Sequence, residues 1–84
     1  MYGWRITKVN PEFLEQEEVN TVGPATLSAE LEHELFAGYG QEFKMYDDDD
    51  IWYYTGMIVG EFEGTEPLDD FGTPNAGCTR IEVE

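Results

Sequence analysis

Four consecutive aspartates, Asp47 to Asp50, interrupt an aromatic stretch that otherwise reads as β-strand, "EFKMYDDDDIWYYTGMIV". Four adjacent like charges must stay in water, and aspartate favours turns, so the run marks a chain reversal at the surface. The flanking segments, 41 to 47 and 51 to 63, are expected to pair as an antiparallel hairpin with its tip at Asp47 to Asp50. In that register Tyr46 faces Ile51 and Met45 faces Trp52. Phe43, Met45, Trp52, Tyr54 and Ile58 then share a core face. The reverse face shows Lys44, Tyr46, Ile51, Tyr53, Met57 and Val59, apolar enough to serve a partner or a second subunit as a homodimer surface.

The rest of the chain supplies one helix and two strands. Residues 2 to 9, "YGWRITKV", alternate Trp4 and Ile6 with Arg5 and Thr7, the period of a half-buried strand. Residues 10 to 24 read as an acidic loop with room for one helical turn after Pro11; Phe13 and Leu14 are weak anchors among Glu15, Glu17 and Glu18. A helix is expected near 28 to 37, with Ser28 as N-cap, Glu30 in the first turn and Gly38 ending it. Leu27, Leu31 and Leu35 recur every four residues as its buried stripe, to be laid on the core face of the hairpin. The Gly, Pro, Asn and Asp of 64 to 77 read as a long structureless connection. The chain closes with a strand at "CTRIEV", Thr79, Ile81 and Val83 inward. The expectation is a single α+β domain over 1 to 84, one helix packed on an antiparallel sheet of about four strands in the order β-α-β-β-β.

Charge then limits function. Nineteen acidic residues against four basic ones give a formal charge of −15 on 84 residues, beyond what solubility alone asks of a small domain. Aromatic content of 14% and hydrophobic content of 40% belong to a folded chain. Such a charge repels nucleic acid and anionic lipid, which points to a basic protein surface as partner. Cys78 is alone, which excludes an intramolecular disulfide and fits a reducing compartment. The opening residues, "MYGWRITKVN", hold no apolar run of signal-peptide length, and no segment approaches the ~20 apolar residues of a membrane span, so a soluble, cytoplasmic protein is expected.

No constellation names a reaction. Ser28 and His33 are the only serine and histidine and lie five positions apart on one predicted helix, on different faces. Cys78 sits in a negative field that raises a thiol's pKa. From Asp48 the alternate positions run to Asp50 and Trp52 without the glycine of a calcium loop. Glu42 and Lys44 have the E-x-K spacing of metal-dependent nucleases but no upstream aspartate accompanies them. The expectation is a protein without catalytic residues, metal site or cofactor.

The stretch "YDDDDIWYYTG", followed by "EPLDDFGTPNAGCTRIEV", resembles a family of short acidic proteins of unknown function from actinobacteria and their phages, over residues 43 to 83. The resemblance brings no activity or cofactor. It implies a phage or mobile-element setting, in which small acidic inhibitors of host defence enzymes are common. Asp47, Asp48, Asp49 and Asp50, the flanking Tyr46, Trp52 and Tyr53, and the second acidic pair Asp69 and Asp70 are the expected partner-binding residues. Two functions follow: a mimic of nucleic-acid charge that blocks a nucleic-acid-binding protein, or an acidic accessory and assembly module.

Overall fold

The computed structural model describes all 84 residues as an α+β fold with one five-stranded antiparallel sheet. The strands are β1 (Tyr2–Val9), β2 (Val22–Gly23), β3 (Gln41–Tyr46), β4 (Trp52–Gly60) and β5 (Arg80–Val83), and their spatial order is β2-β1-β4-β3-β5. A 3-10 turn at Gln16–Glu18 lies in the acidic segment after β1. β2 was not expected: it is two residues long, too short to carry a period, and pairs Gly23 with Trp4 and Val22 with Arg5. No helix is long and apolar enough to cross a membrane.

Helix α1 (Ala29–Phe36) begins where the sequence indicates. Ser28 Oγ accepts from the Leu31 N–H at 3.2 Å, and Gly38 takes a φ of 90° just past the helix end. It packs, however, on the face of the sheet opposite the one expected. Gly3 lies between Tyr2 and Trp4, so its missing side chain points away from theirs, and Leu27, Leu31 and Leu35 settle into that space. Val59, the partner of Gly3, is buried on this same side, and Arg5 lays its guanidinium 4.9 Å from the centre of the Phe36 ring. The apolar reverse face thus has an internal cover over one half.

The main core occupies the other face: Trp4, Ile6, Val9, Phe43, Met45, Tyr54 and Ile58 from the sheet, closed by Phe71 and Cys78. Its lid is the segment expected to be structureless. Residues 66 to 76 are continuously helical, π-helical over Leu68–Gly72 and α-helical in α2 (Thr73–Ala76), with Gly77 ending the run at a φ of 71°. Pro74 has no N–H to close an α-turn, and the turn before it widens so that the Thr73 N–H reaches the Leu68 carbonyl. Phe71 sits 5.2 Å from the Trp4 ring and 5.1 Å from Tyr54, and Gly72 rides directly on Met45. Burial pushes the Glu66 carboxyl up, but the backbone N–H groups of Glu63 and Gly64, at 2.7 and 2.8 Å, lead those that hold it below the ordinary value and fix the entry to this lid.

Two β-bulges set which side chains face which way. β1 carries an extra residue at Thr7, so Ile6 faces Gly56 while Lys8 faces Thr55. β4 carries one at Tyr53, so Met45 faces Tyr54 while Tyr46 faces Trp52. The expected pairs, Tyr46 with Ile51 and Met45 with Trp52, are corrected in two steps: the tip loop takes in Ile51, which moves Tyr46 to Trp52, and the extra residue at Tyr53 then moves Met45 to Tyr54. Trp52 turns to the reverse face and Tyr53 packs on the core side, the opposite of the simple alternation.

Candidate functional site

The aspartate tip is a built turn. The Asp47 N–H donates to the Ile51 carbonyl and the Asp50 N–H to the Asp47 carbonyl, both at 3.0 Å. Asp47 Oδ1 accepts from the backbone N–H of Asp49 at 2.8 Å and of Ile51 at 3.0 Å, and Asp50 adopts a φ of 62°, a conformation aspartate tolerates well. Arg80 reaches Asp50 at 3.0 Å and Glu82 at 2.6 Å while its guanidinium lies 4.2 Å over the Tyr46 ring. Asp47 thus shapes the turn and Asp50 holds Arg80, whereas Asp48 and Asp49 stand exposed with no side-chain partner.

The acidic segment after β1 comes to this same end, because Val9 pairs with Tyr54 near the start of β4. Asn10 fixes it to the bulge: its N–H donates to the Tyr53 carbonyl and its side-chain amide to the Trp52 carbonyl, both at 2.9 Å. Phe13 then stacks on Tyr53 with ring centres 5.3 Å apart and planes 12° from parallel. Leu14 and Val19 pack on the core, and Glu18 accepts from the buried Tyr54 hydroxyl at 2.9 Å. Burial lifts the Tyr46 and Tyr53 phenols above their ordinary value, with Glu82 adding to the first and Asp47 to the second. Both remain neutral O–H donors at physiological pH.

The structure therefore brings together Tyr46, Asp47, Asp48, Asp49, Asp50, Trp52 and Tyr53, and adds Phe13, a weak anchor by its sequence surroundings alone. Its signal was there: a large aromatic among glutamates, half exposed in the fold. Asp69 and Asp70 are elsewhere. Asp70 Oδ2 accepts from the Tyr2 hydroxyl at 2.7 Å and from the Trp4 indole N–H at 3.0 Å, roughly 20 Å along the sheet from the tip by strand rise. It clasps the helical lid to β1, and this bond, with burial second, pushes the Tyr2 phenol up to about 12. Cys78 is fully buried and its thiol is raised to about 11, by burial first and Asp47 second. His33 is exposed on α1. No three His, Cys, Asp or Glu side chains converge as a metal site. Comparison with family models, curated proteins and solved structures gives no match to this chain.

Proposed function

We propose that this is an acidic protein-binding module that engages a basic protein through the tip end of the sheet, its carboxylates standing where the target receives phosphates. The observation that supports the reading is the grouping at that end: Glu12, Glu15, Glu17 and Glu18 on one side and Asp47 to Asp50 on the other, eight of the 19 acidic residues, framing the stacked Phe13 and Tyr53. Interfaces draw binding energy from a few aromatic anchors inside a polar rim, while charge sets the encounter rate. Glu82 joins this end through Arg80, and Glu42 lies on the reverse face of β3; most of the remaining carboxylates lie on α1, on the helical lid and at the far sheet end, so the mimicry belongs to one end rather than to the whole surface. In the phage or mobile-element setting that the resemblance implies, the target is a nucleic-acid-binding defence protein, and binding inhibits it.

The test is kinetic. Asp47 to Asp50 all replaced by Asn keeps the turn-forming side chains and removes four charges. Association with the target should slow, most at low salt, while dissociation changes little. An association rate that is the same in both proteins at low salt contradicts the reading.

A further inference from the structure

Both β-bulges of the sheet aim a side chain into one cleft. Two positions beyond Ile6, Lys8 would point into the core in a regular strand; the extra residue at Thr7 turns it to the reverse face, opposite Thr55. The extra residue at Tyr53 does the same for Trp52, two positions before the buried Tyr54. Bulges re-aim side chains in this way beside functional sites. The cleft lies on the half of the reverse face not covered by α1, has a volume of about 350 Å³, and is lined by Lys8, Glu42, Lys44, Tyr46, Trp52 and Thr55.

Thr55 stands at its centre. It pairs with Lys8 on one neighbouring strand and Lys44 on the other, so the roots of the two lysines lie two strand spacings, about 10 Å, apart. The Trp52 indole N–H donates to Thr55 Oγ1 at 2.9 Å, which holds the ring in the cleft wall. Lys8 and Lys44 are the only lysines of the chain. Despite 19 acidic residues, both ion pairs of the structure belong to Arg80 and neither lysine has one. Two ammonium groups without an ion pair, an indole, a phenol and the Glu42 carboxylate thus share one small cleft in an otherwise anionic protein.

We infer that this cleft binds a nucleoside monophosphate, with the phosphate between Lys8 and Lys44, the base against Trp52, and Glu42 accepting from a sugar hydroxyl or ring amine. A phosphomonoester carries a charge of roughly −1.5 to −2 at neutral pH, and with Glu42 counted the side chains lining the cleft keep a net positive charge that attracts it. A flat base stacks on an aromatic ring, and the volume falls at the lower end for small-molecule sites. The same electrostatics select a small ligand over a polymer, since a strand leaving the cleft would have to pass the acidic surface around the aspartate tip. The cleft shares Tyr46 and Trp52 with the tip end but rests on Lys8 and Lys44, which the protein-binding reading does not use, so the lysine variants test it independently of that reading.

The experiment titrates AMP into the full chain at low ionic strength, read by calorimetry and tryptophan emission, beside adenosine and inorganic phosphate. Saturable one-to-one uptake of AMP is expected, with adenosine and phosphate each much weaker. Lys8→Gln and Lys44→Gln should each weaken AMP by about tenfold or more, as expected for loss of a charge-assisted bond, with unchanged circular dichroism because both side chains are exposed. Absence of saturable AMP uptake, equal uptake of adenosine, or unchanged affinity in both lysine variants overturns the assignment.

Discussion

Phe13 and Tyr53, forty positions apart in sequence, stack with their rings 12° from parallel and join the acidic segment after β1 to the strand that leaves the aspartate tip. A stacked pair of this kind couples by about 0.5 to 1.5 kcal/mol beyond area burial. Urea unfolding of Phe13→Ala, Tyr53→Ala and the double variant should return a coupling in that range. Tyr53→Ala should cost the more, about 2 kcal/mol or above, because Tyr53 also packs on the core. Additive effects would mean that the stack does not hold the two segments together.

Gly56 is a harsher position than its small size suggests. It faces Phe43 across β3 and β4, and a Cβ there would run into both the Phe43 ring and the Arg5 carbonyl oxygen. Gly56→Ala should therefore destabilise by about 3 kcal/mol, the upper part of the range for overpacking, since the carbonyl belongs to the ladder and cannot swing aside. A urea midpoint within error of the parent contradicts this packing.

Alkaline pH should loosen the fold through Cys78 and Tyr2. Their values rise from 9.0 to about 11 and from 10.0 to about 12, so the folded state holds both protons more tightly than the unfolded chain does. The resulting stability is complete below pH 9 and is lost as pH climbs through 11 and 12. Denaturation midpoints should fall across that window, less steeply in Cys78→Ala. At pH 8 a disulfide reagent should label native Cys78 slowly and the urea-unfolded chain at once; rapid native labelling contradicts the buried, protonated thiol.

Self-repulsion among exposed carboxylates opposes folding, and salt screens it over a Debye length of about 8 Å at 0.15 M. Moderate sodium chloride should raise the melting temperature, and calcium at matched ionic strength should do no more. Tight, saturable calcium binding would instead reveal a cation site at the tip.

Period and capping made much of this fold legible. Trp4 and Ile6 announce β1, Ser28 and the Leu27, Leu31, Leu35 stripe announce α1, and the aspartates announce the tip. The bulges at Thr7 and Tyr53 were not legible, since each is a one-residue slip visible only against the partner strand, and the second exchanged the faces of Trp52 and Tyr53. The side taken by α1 depends on Gly3, whose absent side chain leaves no hydrophobic mark in the sequence. The lid over the core has the composition of a loop because its helix is held by tertiary contacts: Phe71 between Trp4 and Tyr54, and Asp70 on Tyr2 and Trp4. That clasp also explains why Asp70, an acid like the others in sequence, lies far from the candidate interface.

Competition for one protein tests the protein-binding proposal most directly. The wild-type chain and the Asp47 to Asp50→Asn variant are immobilised side by side, a cell lysate is passed over both, and the protein retained only by the wild type is purified. Duplex DNA is then titrated against the complex. The account predicts that this protein binds duplex DNA by itself, and that DNA and the acidic chain displace each other stoichiometrically. Equal retention by the two baits, no retained protein, or a ternary complex in which DNA and the acidic chain bind together would contradict it.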